Sequence, residues 1–401
     1  MYKIAVVGAG LSGAVLSHIL GRHGDYSIDI FESKDHIAGN CFTYRDKDTG
    51  ILIHKYGPHI FHTKRKDVWD FVSQFVKFGP YINRVKANTA KGIYSLPINL
   101  LTINQFFNLK MTPSEALDFI KRQSDGSIQE PKNFEEQALK FLGRDLYENF
   151  FRGYTVKQWG VHPTQLPASI LQRLPIRFNY DDNYFSDPYQ GIPLEGYTEL
   201  VEHLLAGSLI RVHLNTSFQR SMCRDYDHVF YTGTLDGYFD YVHGRLGYRS
   251  LIFERADEIG DFQGNAVMNY CEEKVLYTRI AEHKHFAPWE SHERTVIFKE
   301  FSKATEADDV PFYPMRLEAD KQVLRGYIDL AMKERNITFV GRLGTYRYLD
   351  MDTCIGEALD LAYHFLHRSE SDDFTAFSRH PIDGGPFPMR PLDDSNYAEA
   401  A

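Results

Sequence analysis

Tyr2-Lys3-Ile4-Ala5-Val6-Val7-Gly8-Ala9-Gly10-Leu11-Ser12-Gly13 is the stretch on which the fold turns. Its apolar first half suits a buried parallel strand. Gly8, Gly10 and Gly13 then stand at GxGxxG spacing, just before a helix expected over Ser12 to Arg22. Gly8 allows a tight turn, Gly10 lets the backbone approach a pyrophosphate, and Gly13 lets helix and strand pack closely. The unsatisfied amides of the first helical turn face the phosphates. A second apolar strand, Ser27 to Phe31, ends on Glu32 about 20 residues further on, where a carboxylate accepts hydrogen bonds from ribose hydroxyls. Strand, helix, strand and terminal acid in register imply a dinucleotide site.

Ile4 to Leu20 contains no Asp, Glu, Lys or Arg, yet it does not read as a membrane span or signal sequence. Three glycines, two serines and His18 dilute it, a span needs about 20 predominantly apolar residues, and no basic flank or cleavage site frames it. The chain of 401 residues has room for two or three domains. A net charge of -9 argues against general affinity for nucleic acid or anionic membranes, so an anionic ligand needs a local cationic pocket. Cys41, Cys223, Cys271 and Cys354 are scattered without metal-ligand spacing, which predicts reduced thiols, a cytoplasmic location and no metal site. Much of the content of 29 Phe and 25 Tyr is core, but that many tyrosines also supply rings that stack and hydroxyls that hydrogen-bond.

After Glu32 the chain does not continue as alternating helices and strands. His36-Ile37-Ala38-Gly39-Asn40 is a small-residue turn of the kind FAD-binding members of this wider fold show, which favours FAD over NAD. Tyr56 to Thr63 is a loop with two histidines, His59 and His62, either satisfied by backbone or set beside a cofactor ring. Val68 to Phe78 has an amphipathic helical pattern, Asn83 to Pro97 reads as strands, and Thr102 to Trp159 as helices. Thr112-Pro113-Ser114-Glu115 and Asn133-Phe134-Glu135-Glu136 mark two capped starts. Tyr147, Phe150, Phe151 and Tyr154 fall at i, i+3, i+4 and i+7, which puts these rings on one helical face, as core or as ligand wall. Leu166 to Pro175 is a proline-bounded loop carrying Arg173, with the character of a lid. Val275 to Ile280 reads as a strand on which Tyr277 and Arg279 share a face, with Arg279 either a solvated edge charge or a ligand contact. Asn336 to Val340 repeats the opening pattern by running into Gly341-Arg342-Leu343-Gly344, with a helix from about Asp352, so a second cofactor contact is expected there.

The fold expected is α/β. It comprises a Rossmann-like FAD-binding domain (1–78, 195–236 and 316–368), an inserted small helical domain (98–165) and an antiparallel β-sheet substrate domain (79–97, 166–194 and 237–315). Residues 369–401 read as a disordered tail.

Gly8 to Gly13, Gly57 to Thr63, Gly153-Tyr154-Thr155-Val156-Lys157-Gln158-Trp159-Gly160, Arg177 to Tyr184 and Gly341 to Asp352 together resemble the bacterial UDP-galactopyranose mutase family, over about residues 2–365. The resemblance implies an isomerase that interconverts UDP-galactopyranose and UDP-galactofuranose for cell-surface glycans. It also implies an FAD that must be reduced by a physiological reductant, N5 as nucleophile on the anomeric carbon, UDP as leaving group, no net redox change, and a homodimer. By the same resemblance Tyr154, with Phe150 and Phe151 nearby, holds the uridine, Thr155 also binds substrate and Trp159 lies near the sugar. Arg173 and Arg279 neutralise the diphosphate, with hydroxyls from Tyr184, Tyr313 and Tyr348, while Asn83, Asn269 and His62 border the sugar and flavin and His59 lies against the flavin ring. Two arginines suit a diphosphate, because guanidinium forks pair phosphate oxygens and stay charged. Leu11, Ser12, Ser33, Asn40 and Ile60 complete the cofactor contacts of the first junction, and Arg342, Tyr348, Leu349, Asp350 and Met351 those of the second. Ala38 departs from the family pattern, replacing the first glycine of a pair. Two competing readings share the N-terminal fingerprint: an FAD oxidoreductase of the amine-oxidase or desaturase kind, and a non-catalytic binding protein on the same fold.

Overall fold

The computed structural model describes residues 1–173 and 176–368, apart from the side chains of Ser169, Gln172, Arg173 and Glu318. The tail 369–401, expected to be disordered, lies outside the described residues. Strand Tyr2–Val7 is the centre of a parallel sheet of five strands, in the spatial order Ile210–His213, Tyr26–Phe31, Tyr2–Val7, His228–Tyr231, Ile337–Phe339. Strand side chains alternate between faces. Ile4, Val6, Ile28, Ile30 and Phe230 therefore join one core with helices Leu11–Arg22, Tyr197–Leu205 and Met351–Leu366, while Ala5, Phe31, Val229 and Phe339 join another with helix Glu318–Ala331. Burial on both faces is why the central strand is apolar from Ile4 to Val7, whereas the edge strand Ile210–His213 is largely open and carries Arg211.

A second sheet has seven strands in the order Tyr313–Pro314, Tyr248–Ile259, Arg294–Ala304, Arg279–Glu282, Val267–Tyr270, Val85–Thr89, Gly92–Leu96. It is antiparallel except where Val267–Tyr270 runs parallel to Val85–Thr89. Phe61–Thr63, Tyr189–Pro193 and Phe78–Gly79 form a small sheet of their own. Helices Leu100–Phe107, Pro113–Gln123 and Phe134–Leu142 pack around Phe106, Ala116, Ile120, Ala138 and Leu142. The second and third start where the sequence marks. Thr112 and Glu115 form a reciprocal capping box with Pro113 at the first helical position, and Asn133 Oδ1 accepts the Glu136 amide at 3.0 Å. None of the described helices is long and apolar enough to cross a membrane.

Three local expectations change. The helix expected over Val68 to Phe78 runs Lys66–Ser73, and Phe78 pairs as a strand with Pro193. Val275 to Thr278 is turn rather than strand, because Val267–Tyr270 and Arg279–Glu282 are antiparallel neighbours and the chain must reverse between them. The reversal is held by Lys157 Nζ, which donates to the carbonyls of Tyr270 at 2.7 Å and Tyr277 at 2.9 Å. Finally, Tyr147–Arg152 is a π-helical turn between Arg144–Leu146 and Gly153–Trp159. A π turn hydrogen-bonds i to i+5, so the α-helical spacing that put Tyr147, Phe150, Phe151 and Tyr154 on one face does not hold through it.

Candidate active site

The first glycine junction is built as its sterics require. Gly8 has φ +99°, and a Cβ there would stand 2.2 Å from Thr232 Oγ1; a Cβ on Gly13 would stand 2.0 Å from the Gly8 carbonyl oxygen. Gly10 caps helix Leu11–Arg22 with no side-chain hydrogen bond, which leaves the first-turn amides open to an anion. Leu11 and Ser12 are buried at this turn. Glu32, 6% exposed, accepts the Ala9 amide through Oε2 and the Lys34 amide through Oε1, both at 2.9 Å. Sequence spacing pointed to a ribose acceptor; the same carboxylate also fastens the glycine turn to the end of the second strand, and its remaining lone pairs stay available. Ser33 Oγ lies 3.5 Å from Glu32 Oε1, and Asn40 Oδ1 accepts Lys34 Nζ at 2.9 Å. The turn expected after Glu32 closes against the first. Ala38 is left-handed at φ 68°, and a Cβ on Gly39 would meet Gly10 Cα at 3.2 Å. Holding a Cβ in that conformation costs Ala38 about 1 kcal/mol or more.

The second junction comes to the same place. Gly341 has φ +76°, and a Cβ there would meet Ser12 Oγ at 3.1 Å. Helix Met351–Leu366 begins one residue earlier than expected, with Asp350 at its N-cap and no side-chain cap bond. Arg342 Nε donates to the Leu349 carbonyl at 3.1 Å and its guanidinium stands 5.2 Å over the Tyr348 ring and 5.7 Å over Tyr313. A glycine-lined turn, an uncapped helix start, a buried acid and a second turn packed on the same helix fit an extended dinucleotide.

Beyond Arg342 lies a cluster of phenols around a cation. Tyr313 stacks on Tyr348 with centroids 5.6 Å apart and planes 15° apart. Arg279 Nε donates to Glu300 Oε1 at 3.0 Å across the antiparallel register that sets the two residues opposite each other. Burial opposes the Arg279 charge, but Glu300 holds its pKa well above the ordinary value, and Tyr154, Tyr313 and Tyr184 contribute to the same field. Burial raises the pKa of Tyr154, Tyr184 and Tyr313, so all three remain hydroxyl donors at neutral pH. His59 stands between the two regions. Burial and the charges of Arg342 and Arg279 lower its pKa to about 4, so it is neutral at pH 7 and donates Nδ1–H to the Gly57 carbonyl at 2.9 Å. Ile60 is buried beside it.

The walls are tied down. Asn83, 4% exposed, accepts the Tyr184 amide at its carbonyl at 2.8 Å, and Asn269 Oδ1 is buried with no partner among the described residues. Thr155 is buried on helix Gly153–Trp159, which ends at Gly160 (φ +69°) against Arg249. Arg249 Nε and Ser302 Oγ both donate to the Gln158 carbonyl, at 3.0 and 2.6 Å, and so fix the end of the helix that carries Trp159. Phe150 and Phe151 are 3% and 6% exposed in the hydrophobic core, Phe150 against Tyr94 and Phe106, and Trp159 and Tyr184 pack against the same core. Arg173 ends the 3-10 helix Ala168–Arg173; its side chain lies outside the described residues. His62 pairs with Asp187, Nδ1 to Oδ2 at 2.6 Å.

Sequence reasoning missed Glu300, Asp187, Lys157 and Arg249. For Glu300 a signal existed, an acid alone in the apolar run Val296-Ile297-Phe298-Lys299-Glu300-Phe301, but its partner depended on strand register.

Comparison with known proteins gives a consistent result. Residues 149–348 match the family described as UDP-galactopyranose mutase, and residues 6–75 match the NAD(P)-binding Rossmann-like domain. A probable UDP-galactopyranose mutase of Klebsiella pneumoniae is 53% identical over 91% of this chain and 94% of its own length. A dTDP-fucopyranose mutase of Escherichia coli is 47% identical over 92% of this chain and all of its own. The crystal structure of a reduced UDP-galactopyranose mutase superposes with a TM-score of 0.71 over 92% of this chain and 97% of that one at 16% identity, a likeness of fold. On the strength of these matches over nine-tenths of its length, the chain belongs to the UDP-galactopyranose mutase family of isomerases.

Proposed function

We propose that the chain binds FAD and interconverts UDP-galactopyranose and UDP-galactofuranose. The observation that carries this reading is the meeting, at a neutral His59, of a dinucleotide cradle ending in Arg342 and Tyr348 with the Arg279 cation ringed by Tyr154, Tyr184 and Tyr313. A diphosphate at Arg279 would set its sugar beside the far end of the cofactor. Gly8, Gly10, Leu11, Ser12, Gly13, Glu32, Ser33 and Asn40 would hold the ADP half, and Gly341, Arg342, Leu349, Asp350 and Met351 the flavin half. Reduced FAD, when bound, supplies the nucleophile for the anomeric carbon, with no net redox change.

The chain's own residues bind and orient. Tyr154, Thr155 and Trp159 clamp the nucleotide. Arg279, with Arg173 from the 3-10 helix, carries the charge of the departing diphosphate, and the tyrosine hydroxyls donate to its oxygens. Asn83, Asn269, His59 and His62 supply acceptors and donors at the sugar. A second reading concerns the substrate alone: the 47% identity to a dTDP-fucopyranose mutase makes dTDP-fucose the competing sugar nucleotide. The test is to incubate dithionite-reduced and oxidised protein separately with UDP-galactofuranose and dTDP-fucofuranose, and follow the pyranose forms by chromatography. Conversion of UDP-galactofuranose by the reduced protein alone supports the proposal. Conversion of only the dTDP sugar changes the substrate, and conversion of neither sinks both.

A further inference from the structure

His62 lies in strand Phe61–Thr63, opposite Gln190 of Tyr189–Pro193. Its Nδ1 is 2.6 Å from Asp187 Oδ2, and since a carboxylate only accepts, the proton of this bond sits on Nδ1. The ring is also clamped. It stacks on Phe185 with centroids 3.7 Å apart and planes 15° apart, and Phe185 meets Tyr184 edge-on at 5.1 Å. Gln190 Nε2 fastens the same segment by donating to the Asp187 carbonyl at 2.6 Å. Asp187 is held on one side of the ring with 17% of its side chain exposed, whereas Lys64, its other cation, stands 3.9 Å away and is 79% exposed. His62 Nε2 makes no hydrogen bond to the described residues, although 15% of the side chain is open.

We propose that Asp187 is a positioning residue: by accepting Nδ1–H it fixes His62 in the tautomer with a bare Nε2, ready to accept a hydroxyl proton of the ligand as a hydrogen bond. A lone imidazole is free to exchange tautomers and to turn over; a charge-assisted bond on one nitrogen and a stacked ring on one face remove both freedoms. The identity of the ligand as a sugar nucleotide rests on the mutase reading, but the tautomer does not.

Two measurements separate these. Full-length holoprotein labelled with 15N-histidine is examined by NMR at pH 8, with His62 assigned as the signal absent from His62→Gln. The expected spectrum has Nδ1 protonated and Nε2 bare, and this signature is lost in Asp187→Ala and retained in Asp187→Glu. In turnover, Asp187→Ala is expected to lower kcat roughly tenfold or more, short of the about 10⁴ measured where a fully buried aspartate orients a catalytic histidine. In a His62→Gln background it should add almost nothing, because both changes remove one unit. A His62 protonated on Nε2, alone or on both nitrogens, overturns the proposal, and so does an Asp187→Ala effect that is fully additive with His62→Gln. If Asp187→Ala does not fold, Asp187→Asn, of equal size and a weaker acceptor, is read in the same way. Absence of wild-type turnover would refute the mutase reading while the NMR result still decides the tautomer.

Discussion

Replacing Arg279 with methionine tests the cationic centre of the site twice, once in stability and once in turnover. The Glu300 side chain is 3% exposed, and its carboxylate takes Arg279 Nε at 3.0 Å with Thr278 Oγ1, at 3.2 Å, as the one further side-chain donor among the described residues. At that separation the attraction is roughly 5–6 kcal/mol at an effective dielectric of about 20, largely offset by the cost of desolvating both ions. Removing only the cation leaves the desolvation cost of Glu300 uncompensated, which typically destabilises by about 3–5 kcal/mol. Arg279→Met is therefore expected to lower the thermal midpoint well beyond an ordinary surface substitution. Adding Glu300→Gln should recover about half or more of the loss, because a neutral amide is far less costly to bury than a lone carboxylate. Turnover should stay severely reduced in both proteins, since both lack one of the two cations proposed to meet the diphosphate, while flavin absorbance stays with the protein. Scanning calorimetry with unfolding in urea, together with the chromatographic assay, is applied to wild type, Arg279→Met, Glu300→Gln and the double variant, the four corners of the cycle. The reasoning fails if Arg279→Met is within about 1 kcal/mol of wild type, or if the double variant is no more stable than the single.

Burial lowers His228 and His283 to about 3 and His59 to about 4, and lowers His54 in the same direction. Below the ordinary histidine value of 6.5 the unfolded chain therefore binds protons that the fold does not, and stability should fall from about pH 6.5 towards pH 4 at up to about 1.4 kcal/mol per pH unit per histidine; thermal midpoints unchanged between pH 7 and 5 would contradict this. Burial lowers Lys157 to about 8, so between pH 8 and the ordinary lysine value the fold releases a proton that the unfolded chain keeps; the stability of wild type relative to Lys157→Met should rise over that interval, and a parallel pair of curves would refute it. Gly13→Ala should yield protein without bound flavin, because its Cβ would stand 2.0 Å from the Gly8 carbonyl, and a fully yellow variant would count against the cradle. Phe150→Ala should cost about 3–5 kcal/mol with little change in UDP affinity per folded molecule, whereas Tyr154→Ala should weaken UDP binding severely. A reversed pattern would return Phe150 to the nucleotide wall.

The cofactor region was the most legible part of the chain, because each of its signals is local. A glycine at φ +99° or +76° announces itself by its residue type, and the strand before it by its apolar run. Thr112 and Asn133 likewise marked their helices within four residues. The errors fell where a regular period was extended through a break in it. The π turn at Tyr147–Arg152 breaks the α-helical spacing of the ring stripe, and the reversal before Arg279 removed Tyr277 from a strand. Ala38 shows that the chain tolerates a Cβ where the family pattern has glycine, with the turn still closing on Gly10.

The sequence by itself thus determined the Rossmann-like junctions, which rest on sterics and periodicity within a strand or a turn, and, through the resemblance of its motifs, the family. What meets Arg279 was settled only by the tertiary structure. Glu300 reaches it through the register of two antiparallel strands, and Tyr154, Tyr184 and Tyr313 arrive from three separate segments. Charges and hydroxyls act through space over a few ångströms, and no local pattern in the chain records which distant side chains will be brought that close.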